Sequence, residues 1–117
     1  MTPFNSAGTK GGQMIVCYIS GALTGDGKRS TLYDNMHRAR ECAIKYYKLG
    51  YAVICPHLNS YLMFGSISEK EIMGSDLELV RRSDIIVMLP NWEQSKGAKL
   101  EHELAVKLHK DIVYEQF

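Results

Sequence analysis

The sequence predicts an open, doubly wound α/β domain with a parallel sheet of four to five strands and helices on both faces. Three observations point to it. Short β-branched runs alternate with amphipathic stretches in the order β-α-β-α-β-α-β. The runs read as continuously apolar, as strands buried on both faces do, instead of alternating apolar and polar. A chain of 117 residues suits one domain with one core.

Each element has its local reason. Residues 1–13 begin "MTPFNSAGTKGG", lack an apolar segment, and read as a flexible extension or a remnant of cloning; the domain spans 14–117. "MIVCYIS" (14–20) is the first strand and stops at Gly21. The glycine-rich loop 21–30 follows. Between 31 and 49, Leu32, Met36, Ala39, Ala43 and Tyr47 recur at steps of three and four. They mark a helix capped by Ser30 or Thr31 and stopped by Gly50. "YAVIC" (51–55) is the second strand, broken by Pro56. After a loop, Ser68 and Glu71 have capping-box spacing, opening a helix that turns Ile72, Met73, Leu77 and Val80 inward and ends near Arg82. "DIIVML" (84–89) is the third strand, stopped by Pro90. Gly97 leads into a last helix with Leu100, Leu104, Ala105 and Leu108 as its inner face, and "DIVYE" (111–115) closes as a fourth strand. Right-handed crossovers then give strand order 2-1-3-4, a Rossmann-like or flavodoxin-like topology. No helix follows the last strand, so apolar surface is left over and a homo-oligomer, dimer or tetramer, is expected.

Composition narrows the function. Net charge is +1, from 14 Lys plus Arg against 13 Asp plus Glu, which gives no electrostatic footprint for nucleic acid or an anionic membrane. No apolar run approaches the ~20 residues needed to span a bilayer. Cys17, Cys42 and Cys55 form neither a CxxC nor a disulfide framework and read as buried thiols of a reducing, cytoplasmic compartment.

In a doubly wound sheet, ligands bind beyond the carboxyl ends of the strands, where strand order reverses. Here that crevice lies between strands one and three and is reached by loops 21–30, 56–68 and 90–97. The first loop is no dinucleotide fingerprint, since Gly21, Gly25 and Gly27 do not make GxGxxG. It is no P-loop either, because Arg29 follows Lys28 where Ser or Thr is needed. Its glycines, with Thr24 and Ser30, suit a phosphate or ribose contact, and a mobile loop fits equally well. In "EQSKGAKLE", Ser95 fits a helix cap or a phosphate ligand, spacing alone favouring the cap, and Gly97 suits a close approach to the backbone.

Glu101 lies six residues past Ser95, its side chain directed back toward the helix start. Asp76 stands about two turns into the preceding helix. Spacing alone favours solvated helix charges for both. Converging on one pocket, they would supply the nucleophile and acid/base pair of glycosyl chemistry. His57 follows the second strand and borders the crevice, while Trp92 either stacks a base or walls the pocket. No HExxH or Cys/His spacing occurs, so no metal and no cofactor are expected.

"YISGALTG", "GYAVICPH" and "SDLELVRRSDIIVMLPNWEQSKGAKLEHELA" together resemble the nucleoside 2-deoxyribosyltransferase-like superfamily. The nearer likeness is to a small family of uncharacterised domains from phages and bacteria, the more distant one to deoxynucleoside 5'-monophosphate N-glycosidases. It covers nearly everything from Met14 onward, with the DLELVRRSD block and S-x-G-x-x-x-E as its most specific parts. The resemblance implies that Glu101 is a nucleophile attacking the anomeric carbon and that Asp76 assists proton transfer to and from the base. It implies that Ser95 contacts a 5'-phosphate and that Tyr18 and Gly21 border sugar and base.

Two departures stand out. Ala22 and Thr24 occupy positions where the monophosphate hydrolases carry Ser and Arg. Ser95 stands where the transferases carry an aspartate that orients the base, which points to hydrolysis. The expected function is therefore N-glycosidic cleavage, as hydrolase or glycosyltransferase, of a nucleoside or nucleoside 5'-monophosphate. The alternative is a non-catalytic module that binds or sequesters a nucleotide-derived signal.

Overall fold

The computed structural model describes residues 6–24, 27–63 and 65–116. Its core is a four-stranded parallel sheet. Strands β1 (Thr9–Lys10) and β2 (Gln13–Met14) form a small antiparallel hairpin ahead of it. Then follow β3 (Val16–Ser20), α1 (Arg29–Lys48), β4 (Ala52–Ile54), the single turn α2 (Pro56–Asn59), α3 (Glu69–Arg82), β5 (Ile85–Met88), α4 (Lys96–Lys107) and β6 (Asp111–Tyr114). The sheet order is β4-β3-β5-β6 with every pairing parallel, so the expected 2-1-3-4 order holds. The order reverses between β3 and β5, which opens the crevice at their carboxyl ends.

Side chains alternate across β3 and divide the core in two. Cys17 and Ile19, with Val87 and Leu89, pack against Ala39, Cys42, Ala43 and Tyr46 of α1. Tyr18, with Ile86 and Met88, packs on the other face against Val80 of α3 and Ala98 and Ala105 of α4. Helices thus cover both faces.

Two helices bury a different stripe from the one expected. On α1, Tyr46 is buried and Tyr47 is 61 % exposed; the inward row runs Ala39, Cys42, Ala43, Tyr46, and Tyr47 lies about 100° further round. This helix begins at Arg29 with Lys28 as cap residue, so Ser30 and Thr31 lie inside its first turn. On α4, Leu100 and Leu108 are exposed, and the buried residues are Ala98, Glu101 and Ala105. A carboxylate therefore occupies the middle of an inward row whose flanking alanines let the helix approach the sheet closely. The capping box of α3 forms as read, Glu71 N–H donating to Ser68 Oγ at 3.1 Å and Ser68 N–H to Glu71 Oε1 at 3.3 Å.

Residues 6–13, expected within a flexible extension, are drawn onto the domain edge, and Met14, expected to open the first strand, pairs instead with Thr9 in the hairpin. Gly8 is buried, and its carbonyl accepts from Ile15 N–H at 2.6 Å. A methyl group on Gly8 would stand 2.3 Å from the Gly50 carbonyl carbon, a contact only glycine permits. Residues 1–5 lie outside the described residues. At the amino end of the sheet, Asp84 and Val16 clamp each other: Val16 N–H donates to the Asp84 carboxylate at 2.8 Å, and Asp84 N–H to the Val16 carbonyl at 2.8 Å. Next to Asp84, Ser83 Oγ donates to the Leu79 carbonyl at 2.7 Å. No described helix is long and apolar enough to cross a membrane.

Candidate active site

The three loops singled out from the sequence converge on one cavity of about 600 Å³. Gly21, Ala22, Leu23 and Thr24 line it from the loop after β3, Pro56, His57 and Ser60 from the segment after β4, and Ser95 and Gly97 from the start of α4. Asp76 and Met73 of α3 and Glu101 of α4 complete the wall. The two carboxylates do share one site. Gly25 of the glycine-rich loop is outside the described residues.

The loop after β3 is tied at two points. His57 Nε2 lies 3.0 Å from the Ala22 carbonyl, and Asn35 Nδ2 donates to the Leu23 carbonyl at 2.9 Å. Gly21 fits because a methyl there would stand 2.8 Å from Leu89 Cβ. A carbonyl only accepts, so His57 carries its proton on Nε2 and keeps Nδ1 as a bare acceptor. That Nδ1 is buried without a hydrogen-bond partner among the described residues. Burial lowers the His57 pKa, the Ala22 carbonyl opposing it.

Glu101 is 6 % exposed. Tyr18 donates its hydroxyl to Oε2, and Ser20 Oγ donates to Oε1 at 2.6 Å. Burial pushes the Glu101 pKa up to about 7; the Ser20 and Tyr18 hydrogen bonds pull it down, and the Asp76 charge adds to the rise. Burial alone raises Asp76 to about 6. Tyr18 is pushed far up by burial, with the charges of Glu101 and Asp76 adding to it, so it stays a neutral donor. Burial thus lifts both carboxyl groups toward neutrality, the range in which a carboxyl group can give or take a proton at ordinary pH.

Ser95 caps α4, its Oγ accepting from Ala98 N–H at 3.2 Å, and it also faces the cavity, so cap and cavity-lining roles coexist. Lys70 and Lys96, in the first turns of α3 and α4, line the cavity as well. Among the described residues no group of three or more His, Cys, Asp or Glu side chains is placed to hold a metal ion.

One expected site residue, Trp92, sits elsewhere. Trp92 lines a separate cleft of about 410 Å³ with Asn91, Glu93, Tyr114 and Glu115. Its ring stacks on His102 with centroids 4.1 Å apart and lies 6.2 Å from Tyr114. The left-handed backbone at Asn91 (φ 68°) and the 3₁₀ turn Trp92–Gln94 swing the indole over the β5–β6 side. Tyr18 is fully buried; it is not among the residues lining the cavity and reaches the site through its hydroxyl on Glu101. One residue at the heart of the site went unread: Ser20. The signal was present, because Ser20 ends the first strand two residues after Tyr18 and must face the same side.

No curated protein matches the chain. Residues 15–114, which hold the whole sheet and both carboxylates, match the family model described as a domain of unknown function (DUF4406), and the chain belongs to that family.

Proposed function

We propose that the protein hydrolyses the N-glycosidic bond of a nucleoside or nucleoside 5'-monophosphate through a covalent glycosyl–Glu101 intermediate. The observation that carries this reading is the pairing of a buried and a half-buried carboxylate, Glu101 and Asp76, on one cavity. Both have pKa values raised toward neutrality by burial. A cavity of about 600 Å³ is the size that encloses a small organic ligand.

In the first step a Glu101 oxygen bonds to the anomeric carbon as the C–N bond breaks. The electron pair leaves with the base, and protonated Asp76 supplies the proton. In the second, ionised Asp76 takes a proton from water, whose oxygen attacks the anomeric carbon and displaces Glu101. The start of α4, with Ser95, Lys70 and Lys96 nearby, favours an anionic 5' group. Ser95 in place of a base-orienting carboxylate favours water over a second base as acceptor. The free thiols Cys17 and Cys42, both buried, suit a reducing cytoplasm.

The test is incubation with a panel of nucleosides and 5'-monophosphates, with free base detected by chromatography. Wild type is expected to release base, and Glu101→Ala to release at least about a hundredfold less. Equal release by the two proteins on every substrate would refute the proposal. Tight binding without turnover, retained in Glu101→Gln, would assign the cavity to a binding module.

A further inference from the structure

Ser20 is the last residue of β3 and is 1 % exposed. Strand alternation places its side chain on the same face as Tyr18. The two hydroxyls therefore reach Glu101 from a single strand, one on each carboxylate oxygen. That strand is one of the sheet's two inner strands, paired on both sides. Ser20 itself is pinned by the Leu89 N–H, which donates to its carbonyl at 2.8 Å, and by the register Ser20↔Met88.

A carboxylate in an apolar wall would ordinarily take up a proton, because burial penalises its charge. Two hydroxyl donors aimed at its two oxygens suit the ionised, acceptor-only form. We infer that Ser20 is a positioning residue for Glu101: its hydroxyl keeps Oε1 ionised and, together with Tyr18, fixes the plane of the carboxylate at the cavity wall. This deepens the hydrolase reading and rests on it for its catalytic meaning.

The other groups facing the site come from each element packed around it. Asp76, Glu69 and Lys70 lie on α3, Lys96 on α4, His57 on α2 and Tyr18 on β3. Of these, Tyr18 and Asp76 act on Glu101, Tyr18 as a donor and Asp76 as a like charge. Ser20 is the remaining donor. Removing it leaves Tyr18 alone against burial and the Asp76 charge.

The experiment is a titration of carboxyl-¹³C-glutamate protein by NMR, with the Glu101 resonance assigned from its loss in Glu101→Gln. Ser20→Ala is expected to raise the Glu101 midpoint by about one to two pH units, the worth of one hydrogen bond to a charged group. Ser20→Thr, which keeps the hydroxyl, is expected to return it toward the wild-type value. A folded Ser20→Ala protein with an unmoved Glu101 midpoint overturns the inference. Should Ser20→Ala not fold, Ser20→Cys keeps the volume with a weak thiol donor. An upward shift there supports the inference, and an unchanged midpoint overturns it.

The same variants carry a kinetic readout. Relative to wild type at the same pH, base release by Ser20→Ala is expected to be about ten- to hundredfold lower near pH 6, the deficit closing toward pH 8 to 9. An even loss at every pH would mark a merely structural role and overturn the assignment. Should wild type release no base at all, the hydrolase proposal fails while the NMR titration still decides the role of Ser20.

Discussion

Glu101 is an acidic side chain that the fold keeps 94 % out of water by packing it in the inward row of α4, and this has a pH signature. In the unfolded chain it titrates at its ordinary 4.5; in the fold it titrates at about 7. Between those values the folded state holds more protons than the unfolded one, so stability falls as pH rises through the window and then levels off. Asp76, raised from 3.8 to about 6, acts in the same direction. Glu101→Gln removes the ionisation. It is expected to exceed wild type in stability at pH 8 by on the order of 3 kcal/mol and to lose most of that advantage at pH 5. Denaturant titrations at the two pH values measure this, and a variant less stable than wild type at pH 8 would contradict it. The sequence could nominate Glu101 and Asp76, because helix position and strand ends are written in spacing. It could not weigh them, because burial depends on the approach of α4 to the sheet, which two alanines set.

At the scale of elements, local signals were read most faithfully where the side chain itself makes the structure. The Ser68–Glu71 box and the turn at Pro90 are of this kind. Which row of a helix faces inward was read less well. Tyr46 and Tyr47 adjoin and are alike, so only the step count could choose between them; Leu100 and Glu101 adjoin too, and there composition favours the leucine although the carboxylate is the one turned inward. The middle of α3 offers a test free of tertiary contacts. Gly74 is exposed there, and a methyl group on it would meet nothing within 4 Å. Gly74→Ala is expected to stabilise the protein by about 0.5–1 kcal/mol through helix propensity alone. The check is a urea midpoint that rises without a change in slope. An unchanged or lower midpoint would mean that α3 needs the glycine for a reason absent from its surroundings.

Across the whole molecule, topology was the most legible property, since alternating elements and right-handed crossovers leave few arrangements. The reach of individual loops was less so. Trp92 belongs to the loop beside the crevice, yet one left-handed residue turns it to the other side. The N-terminal hairpin was hidden because its contact depends on a bare backbone at Gly8, which no pattern announces. The molecule's two ends also have separable duties. Asp84→Ala deletes the acceptor for Val16 N–H at the foot of the sheet. It is expected to cost about 1–2 kcal/mol of stability while base release per folded molecule stays as in wild type. A selective loss of turnover without loss of stability would show the ends to be coupled. The clamp between Asp84 and Val16 thus gives the DLELVRRSD segment a split meaning. Its first residue, Asp76, faces the cavity, while its last two, Ser83 and Asp84, brace a helix end and a strand start at the opposite pole. A protein sharing only the Ser-Asp half declares a common scaffold, and kinship in the proposed chemistry must be sought at Asp76, Ser20 and Glu101.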